Sequence, residues 1–80
     1  MDLLEQVADK MAQEVLEAVR LTGNEDLVDE VKKSIGSSST TLEEAFMTAV
    51  RIRRAEARGR ALLKQLLAQH TQNRGTTPGS

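Results

Sequence analysis

Residues 42–70 read LEEAFMTAVRIRRAEARGRALLKQLLAQH, and this stretch decides the fold. It contains no proline, and its apolar residues recur at steps of three and four, the spacing of one face of an α-helix. At 1.5 Å per residue, the pattern predicts a helix roughly 40 Å long. One near-heptad, coiled-coil-like stripe runs along it, formed by Leu42, Ala45, Ala49, Ile52, Ala55, Gly59, Leu62, Leu63 and Leu66.

A second, weaker apolar stripe lies on the far side of this helix. It consists of Phe46, Val50, Ala57, Ala61 and Ala68. A helix on the surface of a globular protein has one apolar stripe, so two stripes predict burial on two sides, one against the same chain and one against a partner. The alternative is that an alanine-rich surface stays in water as a good helix former. We assign the partner or dimer face to Phe46, Val50, Arg54, Ala57, Arg58 and Ala61.

Two further helices precede the long one. Apolar periodicity predicts them at about 2–21 and 25–35, with Gly23 ending the first. The five hydroxyl residues 37–41 form a polar connection, and Thr41 with Glu44 is a candidate capping box for the third helix, with Thr40 and Glu43 as the alternative one residue earlier. The polar residues 71–80 are expected to form a disordered tail. The fold class is therefore all-α, with the first and third helices antiparallel and a short helix between them.

Composition limits how stable a single copy can be. Eighty residues make one domain, 1–70, and the chain has one Phe, no Trp, no Tyr and no Cys. Without large aromatic side chains or disulfides, the core is small, and small scaffolds often gain stability by associating. We expect a homo-oligomer, a dimeric helical bundle in the simplest case, although a tetramer fits the same pattern.

Charge divides the chain into two halves. Residues 1–50 contain eleven acids and four bases, whereas residues 51–80 contain seven bases and one acid. The basic cluster has two interpretations. Its arginines pair with the acidic first helix and set partner choice, or they bind the phosphates of a nucleic-acid duplex. The candidate nucleic-acid contacts are Arg51, Arg53, Arg54, Arg58, Arg60 and Lys64.

Catalytic and metal-binding patterns are missing from the sequence. His70 is the only histidine and there is no cysteine, so no helical His pair or thiolate site is indicated. We predict no catalytic, cofactor-binding or metal-binding residue, and no enzyme. The acidic start MDLLE does not resemble a signal peptide, and no apolar run is long enough to span a membrane. A cytoplasmic location is expected.

These features together predict a small helical protein-interaction module. It would act as a homo-oligomer through the third helix, as a regulator, adaptor or chaperone, by burying apolar side chains against a partner helix. The alternative is a dimeric helical protein that binds the backbone of double-stranded RNA or DNA through segment 51–64. A helix lying on a membrane surface is a third interpretation.

Overall fold

The computed structural model describes the backbone of residues 1–75 and the side chains of residues 1–71. It contains three helices, α1 (Leu3–Thr22), α2 (Asp26–Gly36) and α3 (Thr40–Gly75). The all-α fold predicted from the sequence is therefore confirmed. The helix α3 continues five residues beyond His70, into the segment expected to be a disordered tail, and residues 76–80 lie outside the described residues.

Local capping fixes both ends of α1. The Asp2 side chain accepts a hydrogen bond from the Glu5 N–H at 2.8 Å, which satisfies one of the free donors of the first turn. At the other end, Gly23 has φ 73°, and its N–H donates to the Val19 carbonyl at 2.7 Å. This left-handed residue is the usual helix stop, so the sequence located the end of α1 correctly.

The start of α3 differs from the expectation. Ser39 Oγ accepts a hydrogen bond from the Leu42 N–H at 3.0 Å, and the helix begins at Thr40. Thr41 and Glu44 therefore lie within the first two turns of the helix and do not form the capping box that their spacing suggested. The run of five hydroxyl residues offers several caps of similar strength, which is why the sequence placed the start two residues late.

The helices α2 and α3 form an antiparallel hairpin. Near the connection, a Cβ added to Gly36 would lie 2.6 Å from a carboxylate oxygen of Glu43, so the two helices approach closely there. At the far end, Arg54 donates to Glu25 at 2.7 Å. The sequence predicted α1 and α3 as the antiparallel pair. The direction of α1 relative to α3 stays a prediction, and α3 is the main packing partner of both α1 and α2.

The core is small and lies where the three helices meet. Phe46 is fully buried and is its largest side chain, while α1 contributes two alanines to the centre. Leu42, Ala45 and several apolar side chains of α1 pack around this cluster. The buried residues are Ala8, Ala12, Val28, Ile35, Phe46, Ala49 and Val50.

The second half of α3 projects away from this core. Every described side chain from Ala55 to Thr71 is exposed. The radius of gyration is 18.2 Å, against roughly 11–12 Å for a compact chain of this length. The molecule measures 65 × 29 × 13 Å. The protein is thus a small three-helix body with a long helical arm, which we call the α3 arm (residues 55–75).

Candidate protein-interaction surface

The two apolar stripes of α3 have different surroundings. Phe46 is 0% exposed and Val50 is 2% exposed, because both face α1 and α2. They belong to the core of the same chain, which corrects their assignment to a partner face. Ile52 follows Val50 by two residues, about 160° around the helix, and is 61% exposed. The first stripe is in the core only at its beginning, where Ala49 is buried.

The remaining residues assigned to the partner face lie at the surface or its margin. Arg54 is partly buried and paired with Glu25. Ala57, Arg58 and Ala61 are exposed on the α3 arm. Two of these are alanines, whose small side chains give a partner little apolar area to bury. The partner face assigned from the sequence is therefore not the strongest candidate interaction surface on α3.

The stronger candidate is the other side of α3. We call it the leucine face, formed by Ile52, Ala55, Gly59, Leu62, Leu63, Leu66 and Leu67. The four leucines are each between 52% and 56% exposed. From Ile52 to Leu66 the members at steps of three and four follow a heptad pattern, which is the spacing of helix-pairing seams. An exposed apolar stripe of this length is typical of an interaction site.

A groove opens beside Ile52, where the leucine face reaches the three-helix body. It has a volume of about 630 Å³ and lies between the start of α1 and the middle of α3. Its lining is mainly apolar, with the carboxylates of Glu5 and Glu56 among the lining residues. The lining residues are Met1, Glu5, Ala8, Asp9, Ala45, Thr48, Ala49, Ile52, Arg53 and Glu56. The sequence pattern does not indicate this groove, because residues far apart in the chain form it.

Two of the six candidate nucleic-acid contacts form ion pairs that join α3 to other parts of the chain. Arg53 donates from Nε and Nη2 to the two carboxylate oxygens of Asp9, at 2.7 and 2.5 Å, and so joins α3 to α1. The hydrogen bond from Arg53 holds the pKa of Asp9 below its ordinary value, and Asp9 in turn raises the pKa of Arg53. Arg54 joins α3 to the start of α2 through Glu25. This agrees with pairing between the acidic and basic halves.

The other four basic side chains are differently placed. Arg60 pairs with Glu56 on the same helix, and this hydrogen bond lowers the pKa of Glu56. Within residues 1–71, Arg51, Arg58 and Lys64 have no carboxylate at ion-pair distance. Arg51 and Arg58 share one side of α3, whereas Lys64 lies about 120° around the helix from Arg58. They border the apolar faces and do not form a single basic surface.

The Arg53–Asp9 pair predicts a dependence of stability on pH. Because the folded pKa of Asp9 is lowered, the stabilisation is present above the ordinary aspartate pKa and is lost as pH falls through the lowered one. We expect Arg53→Gln to be less stable than the wild type at neutral pH, and the difference to shrink below about pH 4. Urea unfolding of the wild type and of Arg53→Gln between pH 2 and 7 measures the difference in stability at neutral pH and its decrease at low pH. An Arg58→Gln control should differ from the wild type by the same small amount at every pH.

His70 is exposed on the α3 arm. In residues 1–71 no three His, Cys, Asp or Glu side chains are grouped closely enough to hold a metal ion. No described helix is both long and apolar enough to cross a membrane.

Comparison of the chain with protein-family models, curated proteins and solved structures found no match.

Proposed function

We propose that this chain is a protein-interaction module, of the regulator, adaptor or chaperone type, that acts as a homo-oligomer through the leucine face. The observation that carries the proposal is the exposure of Leu62, Leu63, Leu66 and Leu67 on one side of a helix that has left the core. Each of these residues leaves slightly more than half of its surface exposed in its own chain. A second helix laid along them would remove that area from water.

The length of the α3 arm supports the same proposal. An isolated helix of about 20 residues is marginally stable in water, because most helical stability in proteins comes from packing of an apolar face. The α3 arm has such a face, and its side chains from Ala55 to Thr71 are all exposed, so no described residue of the same chain buries that face. A partner helix would stabilise the α3 arm and the association at the same time.

Charged side chains flank the leucine face and can set the orientation of the partner. Arg51 and Arg58 lie on one side, and Glu56 with Arg60 lies on the other. Exposed pairs of this kind contribute little to stability, about 0–1 kcal/mol each. Their contribution is to the choice of partner and register, which is how flanking charges act in helix pairing.

Duplex nucleic-acid binding is the weaker candidate. Arg53 and Arg54 are already paired with Asp9 and Glu25, and a phosphate would have to displace those carboxylates. Arg51, Arg58 and Lys64 are the cations that favour it, but three cations on two sides of a helix make few phosphate contacts. The chain also has only one aromatic residue, which is buried.

Solution mass separates the two candidates. We expect light scattering to give at least twice the 8.8 kDa of one chain, both at low and at moderate salt, because burial of leucine does not depend on counterions. Refractive index is the suitable concentration signal, since the chain has no Trp or Tyr. Adding a short RNA or DNA duplex should leave this mass unchanged.

Two results would contradict the proposal. If the protein is a monomer at every concentration, the proposed homo-oligomer is wrong. A larger complex that forms with the duplex at low salt and dissociates at moderate salt would instead identify nucleic acid as the partner. In that case Arg51→Gln with Arg58→Gln should abolish the complex, and neither residue pairs with a carboxylate in residues 1–71.

A further inference from the structure

We propose that the leucine face binds the leucine face of a second copy, with the two α3 helices antiparallel and crossing at Gly59. This inference rests on the proposed function and adds the geometry of the complex. It predicts an isologous dimer, in which the same patch of both copies meets across a two-fold axis. Three features of α3 lead to it: the position of Gly59, the pattern of large and small side chains around it, and the distribution of charge.

Gly59 is the natural crossing point. It lies within the exposed arm, and a Cβ built on it would meet nothing within 4 Å, so no contact in its own chain requires a glycine. A glycine weakens a helix interior. It also allows the backbone of another helix to approach more closely than any other residue does. Gly59 lies on the leucine face, halfway along the chain between Ile52 and Leu66.

The side chains on either side of Gly59 complement one another under a two-fold rotation. Antiparallel helices that cross at Gly59 bring Leu66 of each copy to the level of Ile52 of the other. The same rotation brings Leu63 to the level of Ala55, so that a large and a small side chain share a level. Projected at 100° per residue, Ile52 and Leu66 lie within about 20° of Gly59 and Ala55 and Leu63 within about 40°, so all four lie on the leucine face. Alternating large and small residues in this way lets two surfaces interdigitate.

The groove lies at the place where the partner's leucines arrive. Ile52 lines the groove, so a Leu66 that packs on Ile52 of the other copy lies beside that copy's groove. The groove has an apolar lining that includes Met1, Ala45 and Ala49. The protruding leucines and the groove that receives them are thus on the same surface of one molecule, which a two-fold dimer requires.

Charge favours the antiparallel arrangement over the parallel one. The α3 arm contains four basic residues and one acidic residue, a net charge of +3. Parallel pairing would place two such arms side by side along their whole length. Antiparallel pairing places each arm against the three-helix body of the other copy, where residues 1–50 have a net charge of −7. The acids that line the groove are Glu5, Glu56 and Asp9, of which Asp9 is paired with Arg53.

Cysteine cross-linking tests the geometry directly, because the chain has no cysteine of its own. Under mild oxidation we expect Gly59→Cys to form a covalent dimer nearly completely, since the two-fold axis brings the two positions together. Ala61→Cys is the matched control. It is equally exposed and two residues away, but it lies on the opposite side of α3 and should form at least tenfold less dimer.

A mixing experiment determines the direction of the helices. Ile52→Cys and Leu66→Cys should each stay largely uncrosslinked alone and should cross-link when mixed. If each instead cross-links with itself, the pairing is parallel, which overturns this geometry while leaving association through the leucine face intact. If light scattering finds a dimer but Ala61→Cys links better than Gly59→Cys, the crossing at Gly59 is wrong. A monomer in light scattering overturns both the geometry and the proposed homo-oligomer.

Discussion

Replacing Phe46 with alanine is expected to remove most of the free energy of unfolding at room temperature. Phe46 is the largest fully buried side chain, and removing a buried phenylalanine ring costs about 3–5 kcal/mol. Single domains are stable by about 5–15 kcal/mol, and a chain with so few buried residues belongs at the lower end of that range. Far-UV circular dichroism during urea unfolding measures the loss, since there is no Trp or Tyr to provide a fluorescence signal.

Two further variants keep this prediction testable. Phe46→Leu retains an apolar side chain and should cost less than the alanine variant, so it remains measurable if Phe46→Ala does not fold. Leu21→Ala is the control, because Leu21 is 69% exposed and its loss should change the free energy of unfolding only slightly. A Phe46→Ala protein as stable as the Leu21→Ala protein would show that the core is not where the three helices meet.

The second large effect is expected from Leu63→Ser combined with Leu66→Ser. Each leucine is already about half covered in the single chain, so association buries the other half, worth about 1 kcal/mol per side chain. A dimer contains four of these leucines, and the loss of about 4 kcal/mol weakens Kd roughly a thousandfold. Light scattering should then give the mass of one chain at concentrations where the wild type is dimeric.

The matched control for this double variant is Ala57→Ser with Ala61→Ser. It introduces the same two hydroxyl groups into the same exposed arm, but on the side away from the leucine face. The control should retain the wild-type mass. If both double variants behave alike, the leucine face is not the surface that associates. Circular dichroism on both proteins checks that the three-helix body remains folded.

The helices and their ends could be predicted from the sequence because the signals are local. Apolar residues at steps of three and four and the stop at Gly23 depend only on neighbouring residues, and α1 ends within one residue of the expectation. The start of α3 was harder to place, because residues 37–41 contain several interchangeable caps. The helix continues to Gly75, whereas residues 71–75 contain polar residues and a glycine, a composition that led to the prediction of a disordered tail.

The side of α3 that enters the core could not be predicted in the same way. Both stripes contain enough apolar residues to be buried, and the choice depends on the shape of the other helices. Ala8 and Ala12 of α1 are small and fully buried, so they leave room for the bulky Phe46. This packing turns the Phe46 stripe inward and the Ile52 stripe outward. Volume matching between distant segments is a property of the fold, and helix periodicity contains no information about it.

The length of α3 explains why its four exposed leucines lie beyond the three-helix body. At 1.5 Å per residue, the 36 residues of α3 extend about 54 Å, while the 20 residues of α1 cover about 30 Å. The body ends near Arg54, and the leucines lie beyond it. The sequence predicted a third helix roughly 40 Å long. It could not predict which stripe would be free where the shorter helices end.

The continuous backbone of α3 also fixes the spacing and the relative direction of the side chains along it. No proline or described break interrupts it between Ile52 and Leu66, so these two side chains are held about 21 Å apart and on the same side. Inserting one residue at position 59 would rotate the leucines by about 100° relative to Ile52, whereas seven inserted residues would restore the side and lengthen the spacing. Changes in the length of this arm are therefore tolerated only in steps that keep the helical phase.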